Sequence, residues 1–142
     1  MAKSLKIIAL LLIFGFSAEA QTGTVLFKVK GIKSAKGGNL SSGIFIEENF
    51  PEVGKQFMGK DVKVEGDEME ILLENVPVGT YGAVVFQDID SDQELDSNFM
   101  GFPKEPIGFA NNAKIRFGPP KFKDAAISVK AGEIVIVEIN LK

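Results

Sequence analysis

Cysteine, histidine and tryptophan are all absent from the 142 residues, and tyrosine occurs once, at Tyr81. Without Cys there is no disulfide framework and no thiol nucleophile. Without His there is no histidine triad, no imidazole general base and no imidazole metal ligand. Any metal must therefore be a hard ion held by oxygen atoms. The scarcity of Trp and Tyr leaves few of the rings that usually stack on sugars. Blocks rich in Lys and Arg are missing too, and 19 acidic residues outnumber 16 basic ones. Nucleic acid is not an expected partner of such a chain.

One long hydrophobic run is present, and it lies at the start. In "MAKSLKIIALLLIFGFSAEA" Lys3 and Lys6 precede an apolar run from Ile7 to Phe16, and Ala18-Glu19-Ala20 follows. A basic start, a short apolar stretch and small residues at two alternate positions are the features of a secretory signal cut after Ala20. The run has ten residues, whereas a membrane span needs roughly 20. Residues 1–20 are thus expected to be a signal peptide, and 21–142 one domain, exported to the periplasm or the exterior, with no membrane span. Setting aside Lys3, Lys6 and Glu19 leaves 14 basic and 18 acidic residues, a net charge of −4. With no disulfides, packing alone must hold the domain, which a chain of this length can achieve.

From Gln21 onward the pattern is β. "TGTVLFKVKGIK" alternates, with Val25, Phe27 and Val29 on one face. "SGIFIEE" (42–48) is a short strand, and Gly66-Asp67 is a turn before a strand at 69–73. "GTYGAVVFQD" is the most apolar strand; "AAISVK" and a largely buried "EIVIVEINLK" complete the set. No stretch of ten residues makes a convincing amphipathic helix, although 49–60 has room for one helical turn. The expected fold is all-β, an antiparallel two-sheet sandwich of about seven strands.

Residues 97–124 break this rhythm. "SNFMGFPKEPIGFANNAKIRFGPPKFKD" holds four Pro, three Gly and five of the twelve Phe. Structureless connections beyond about 12–15 residues are uncommon unless they bind or cover something. The aromatics argue for order rather than disorder.

Immediately before it stands "FQDIDSDQELD", with Asp88, Asp90, Asp92, Glu94 and Asp96 in nine positions. Alternate acids suit a loop wrapped around Ca2+, which takes six to eight oxygens. In EF-hand spacing Asp88, Asp90 and Asp92 occupy positions 1, 3 and 5. Glu94 offers its backbone carbonyl from position 7, Leu95 packs the loop down, and Asp96 is position 9. Gln93 stands where Gly should make the turn, and Phe99 where a bidentate Glu should close the site. A strand rather than a helix enters the loop. The expectation is a weak calcium loop, in the roughly 10⁻⁴–10⁻³ M class, with Glu105 available as a later ligand. The plain alternative is a soluble turn whose Asp side chains accept hydrogen bonds from their own backbone.

"ENVPVGTYGAVVFQDIDSDQELDSNFMGFPKEPIGFANNAKIRFGPPKFKDAAISV" carries a more specific pattern. Its elements are Pro77-x-Gly79-x-Tyr81; the acidic loop closing on Leu95-Asp96; Gly101-x-Pro103-x-Glu105; Gly108-Phe109-x-Asn111; and Pro120-x-Phe122-x-x-Ala125. This resembles domain of unknown function 2141 (DUF2141), a family of exported bacterial proteins. "VPVGTY" also looks like the strand entry of transthyretin-like sandwiches. The resemblance implies a secreted β-sandwich and no activity.

Three functions are compatible with these features. One is a non-catalytic exported sandwich whose acidic loop binds calcium and orders the Phe-rich segment. Another is a carbohydrate- or protein-binding module, using Phe99, Phe102, Phe109 and Phe117 with Asn111 and Asn112. The third is a carboxylate-dependent hydrolase, disfavoured because acids crowded in one hydrophilic loop share one environment and catalytic pairs need different ones.

Overall fold

Alternation decides which side of each strand faces inward. The computed structural model describes residues 21–142; the signal peptide expected over 1–20 lies outside the described residues. In β1 (Thr22–Lys30) Gly23, Val25, Phe27 and Val29 are buried and the intervening residues are not. The chain continues through β2 (Asn39–Phe45), β3 (Met58–Lys63), β4 (Met69–Pro77), β5 (Gly79–Asp88), β6 (Ile107–Phe109), β7 (Ala126–Val129) and β8 (Ile134–Asn140). Helical structure among the described residues is confined to three-residue 3-10 turns. No helix there is long and apolar enough to cross a membrane.

The eight strands form two sheets. The smaller has the order β4-β1-β8 and the larger β3-β2-β5-β6, with β7 also paired to β5. β7 holds the first part of β5, at Gly79–Gly82, and β6 the later part, at Val84–Phe86. All pairings are antiparallel but one: β8 runs parallel to β1, with Phe27 opposite Val137. Phe27 also faces Ile71 across the antiparallel β1–β4 pair. The row Ile71, Phe27, Val137 is fully buried and meets Leu40, Ile44, Ala83 and Val85 of the larger sheet in the main core. Each large aliphatic or aromatic side chain so buried contributes roughly 1.5–3 kcal/mol.

The neighbouring row, Leu72, Leu26 and Ile136, lies on the opposite face of the small sheet. Leu72, Ile134 and Ile136 are exposed there. β8 is therefore half-buried rather than largely buried, since no second layer among the described residues covers that face.

The larger sheet has two apolar faces. Its outer side carries Phe45 from β2, Val84 and Phe86 from β5, and Ile107 and Phe109 from β6, all buried. A second layer covers them, built from the connection 46–57 and from 97–124. Phe50 packs edge-on against Phe45, Phe109 and Phe122, with ring centroids 6.0, 6.2 and 5.7 Å away. The Phe-rich segment is ordered against the sheet, and β6 lies within it.

Candidate functional site

β5 ends at Asp88, and from there the chain turns through 89–96. Asp88 is 3 % exposed and Glu105 5 %. Asp88 accepts from the N–H of Asp92 (3.2 Å) and Gln93 (2.9 Å). Asp90 and Asp92 accept from Asp92 N (3.3 Å) and Glu94 N (2.9 Å) respectively. Glu105 reaches back to bridge the two ends of the loop: Oε1 accepts from Ile89 N (2.9 Å) and Oε2 from Asp96 N (3.2 Å). The backbone brings it there, because Lys104 N donates to Asp96 O at 2.7 Å.

Carboxylate oxygens of Asp88, Asp90 and Glu105 lie within 4.8 Å of one another, and so do those of Asp90, Asp92 and Asp96. Asp90 belongs to both groups. Glu94 is exposed and its carboxylate belongs to neither; its expected contribution is the backbone carbonyl alone. Phe99, at the position of the missing bidentate acid, is solvent-exposed. Gln93 takes the left-handed conformation that a Gly would take there, with φ 64°, and Ser91 does likewise at 56°. The loop makes its turn without glycine, at a local conformational cost.

Electrostatics at this site are one-sided. Burial raises the Glu105 carboxyl above its ordinary 4.5, against the lowering by its two N–H donors, and Asp88 and Asp96 raise it further. Desolvation raises Asp96 above 3.8, as do Asp90 and Asp92, with Lys104 opposing. The ion pairs among the described residues, Lys28–Glu70 and Lys55–Glu52, lie elsewhere. Oxygen ligands gathered without a cationic side chain in contact have the chemistry of a hard-cation site.

Beside the loop, on the outer face of the larger sheet, lies a groove of about 620 Å³. Gln93, Leu95 and Ser97 reach it, but none of the acidic-loop carboxylates lines it. Its acids are Glu48, Glu52 and Asp61, all exposed.

The chain matches the family described as "uncharacterized protein conserved in bacteria (DUF2141)" over residues 27–137. It belongs to the DUF2141 family. No curated protein and no solved structure gives a significant match.

Several residues of the DUF2141-like pattern have structural work in this chain. The Tyr81 hydroxyl donates to Pro77 O at 2.9 Å, and its ring lies against Gly79, so Pro-x-Gly-x-Tyr fixes the β4–β5 turn. Asn111, at φ 59°, donates from its amide to Ala126 O (2.9 Å) and Asp124 O (3.3 Å). Asn112 accepts from Asn140. Phe109 and Ala125 are buried in the outer cluster. Of the expected contact residues, Phe99, Phe102 and Phe117 face solvent, whereas Phe109 does not and both Asn side chains are engaged. The groove itself escaped the sequence reading. Its signal was weak: small Ser41 and Gly43 on the outward face of β2, between larger neighbours.

Proposed function

We propose that this DUF2141 protein is an exported, non-catalytic β-sandwich whose acidic loop takes a calcium ion and thereby secures the Phe-rich segment. The observation that carries the reading is Glu105. A nearly buried carboxylate spans both ends of the loop and gathers with Asp88 and Asp90 within ligand distance, with no Lys or Arg among the described residues paired to any of them. Asp88, Asp90 and Glu105 would supply the inner oxygens, Asp92 and Asp96 the outer ones, and Glu94 its carbonyl. Export is supported by the basic-apolar-small pattern of residues 1–20. Against catalysis stands the sharing of these acids between backbone N–H groups and one another, outside the groove.

Thermal unfolding of the purified protein with calcium, and then with chelator, tests this. Calcium at about ten times its dissociation constant adds about 1.4 kcal/mol, a rise of several degrees in Tm at this chain length. Asp88→Ala with Glu105→Gln abolishes the rise. A wild-type Tm indifferent to 10 mM calcium (about ten times the weak end of the class) would overturn the proposal.

A contact role for 97–124, toward protein or carbohydrate, is a second reading. It is favoured by the exposure of Phe99, Phe102 and Phe117.

A further inference from the structure

The outer face of the larger sheet is apolar over three adjacent strands, yet the second layer does not fill the space above it. β2 presents Ser41, Gly43 and Phe45 outward, with Ser41 opposite Asp61 and Gly43 opposite Gly59 of β3. The absence of a side chain at Gly43 lets the Phe45 ring and Gln56 lie down on β2, so that they form the floor there. A Cβ on Gly43 would sit 3.1 Å from the Phe45 ring and 3.2 Å from Gln56 Cβ, at the edge of the opening. Val84, Phe86, Ile107 and Phe109 form the rest of the floor. The volume of about 620 Å³ falls inside the roughly 300–1,000 Å³ range of small-molecule sites.

The rim continues the apolar character. Val53, Met100, Phe102 and Phe117 line the groove and are exposed. The polar lining includes Ser41, Asn49, Gln93 and Ser97, while Ser42 donates to Lys60 O and Gln56 accepts from Gly54 N. Charge separates the candidate ligands. Among the described residues no Lys or Arg lines the groove, whereas Glu48, Glu52 and Asp61 do, and of these only Glu52 has a cationic partner there, Lys55 at 3.0 Å. An anionic headgroup would meet net repulsion, and a cationic one would meet two unpaired carboxylates and phenylalanine faces.

We propose that this groove binds a small apolar molecule bearing a cationic group, the apolar body on the sheet and the charge toward Glu48 and Asp61. The site does not depend on the calcium reading, since none of that loop's carboxylates lines it.

The test uses the neutral fluorophore N-phenyl-1-naphthylamine, in buffer free of divalent cations, with two competitors held below their micelle thresholds. Fluorescence should rise saturably. Dodecyltrimethylammonium should displace the dye at a concentration about fivefold lower than dodecanoate, the discrimination expected of two partly solvated charges. Glu48→Lys with Asp61→Lys changes only exposed side chains and should erase or reverse that preference. Gly43→Val should reduce dye affinity by pushing the Phe45 ring and Gln56 into the groove. Phe117→Ser, at a fully exposed position, should weaken the dye without altering the melt. Absence of saturable dye binding would overturn the site. Displacement by dodecanoate as readily as by the cation, or a preference untouched by the double charge reversal, would overturn the ligand class.

Discussion

Glu105 shows how one side chain can carry opposite consequences in two states of the same loop. Its carboxyl, like that of Asp96, ionises less readily in the folded protein than in the unfolded chain. The native state then binds protons more tightly, and its stability declines as pH rises through the folded-state values. For chelated protein, Tm should therefore increase as pH is lowered from neutral toward the ordinary carboxylate values of 4.5 and 3.8. With saturating calcium the ligands must be ionised, so acidification releases the ion and Tm should fall. Opposite slopes of Tm against pH, measured in the two buffers, are the expected outcome. Glu105→Gln should flatten both. Parallel slopes would mean that the acids do not share a cation.

Gln93 supplies a second residue-scale test. It was legible from sequence only as a departure from glycine, because the side chain says nothing about φ. The structure makes it a left-handed residue all the same. Gln93→Gly should gain up to about 1 kcal/mol by removing that conformational cost. Gln93→Val should lose more than about 1 kcal/mol, since β-branched residues tolerate positive φ least. Melting curves of the two variants decide it. The acids themselves were legible by spacing, but Glu105 could be named only as available. Its position depends on the backbone contact between Lys104 and Asp96, eight positions apart, which no local pattern records.

At the scale of elements, alternation made β1 readable and a run of apolar β-formers made β5 readable, and both left direction unread. Val25, Phe27 and Val29 face inward as their spacing requires, but the same period serves a parallel or an antiparallel neighbour. The parallel seat of β8 on β1 joins opposite ends of the domain and had no local signature. β3 and β6 were unread for another reason. Gly59 and Gly108 weaken their strand character, and pairing with β2 and β5 overrides it. The larger sheet is held to the 31–38 connection by Gln87, which is fully buried. Its Oε1 accepts from Lys33 N at 2.9 Å, and its amide donates to Lys33 O at 3.0 Å and Gly37 O at 2.8 Å. Next to it Gly38 lies so close to Asp88 O and Ile89 Cα that no side chain would fit, which sets the connection against the root of the acidic loop. Gln87→Leu keeps the volume but strands these backbone groups. It should cost about 2–4 kcal/mol, read as a lower urea midpoint with an unchanged slope.

For the molecule as a whole, two apolar layers flank one sheet, and they differ in how they are secured. The main core joins two sheets through Phe27, Leu40, Ile44, Val85 and Ile139, all with essentially no exposure. The outer layer rests on the same β5 but is roofed by irregular chain, pinned by Phe50 and by the bonds of Glu105 and Asn111. Irregular chain with many exposed residues opens at lower free energy than paired strands in a core. Amides of 46–57 and 97–122 should therefore exchange with solvent through a partial opening, while those of β1, β2 and β5 exchange only on global unfolding. Phe50→Ala removes the ring that three others pack against, and should accelerate exchange in the first group far more than in the second. A calcium ion bound as proposed would sit at the hinge of the same layer, between β5 and 97–122, so it should slow exchange there by more than its effect on global stability requires. Native-state hydrogen exchange by mass spectrometry resolves these segments. Uniform protection across both layers, or calcium protection confined to 88–96, would show that the ion steadies only its own loop and not the aromatic roof beside it.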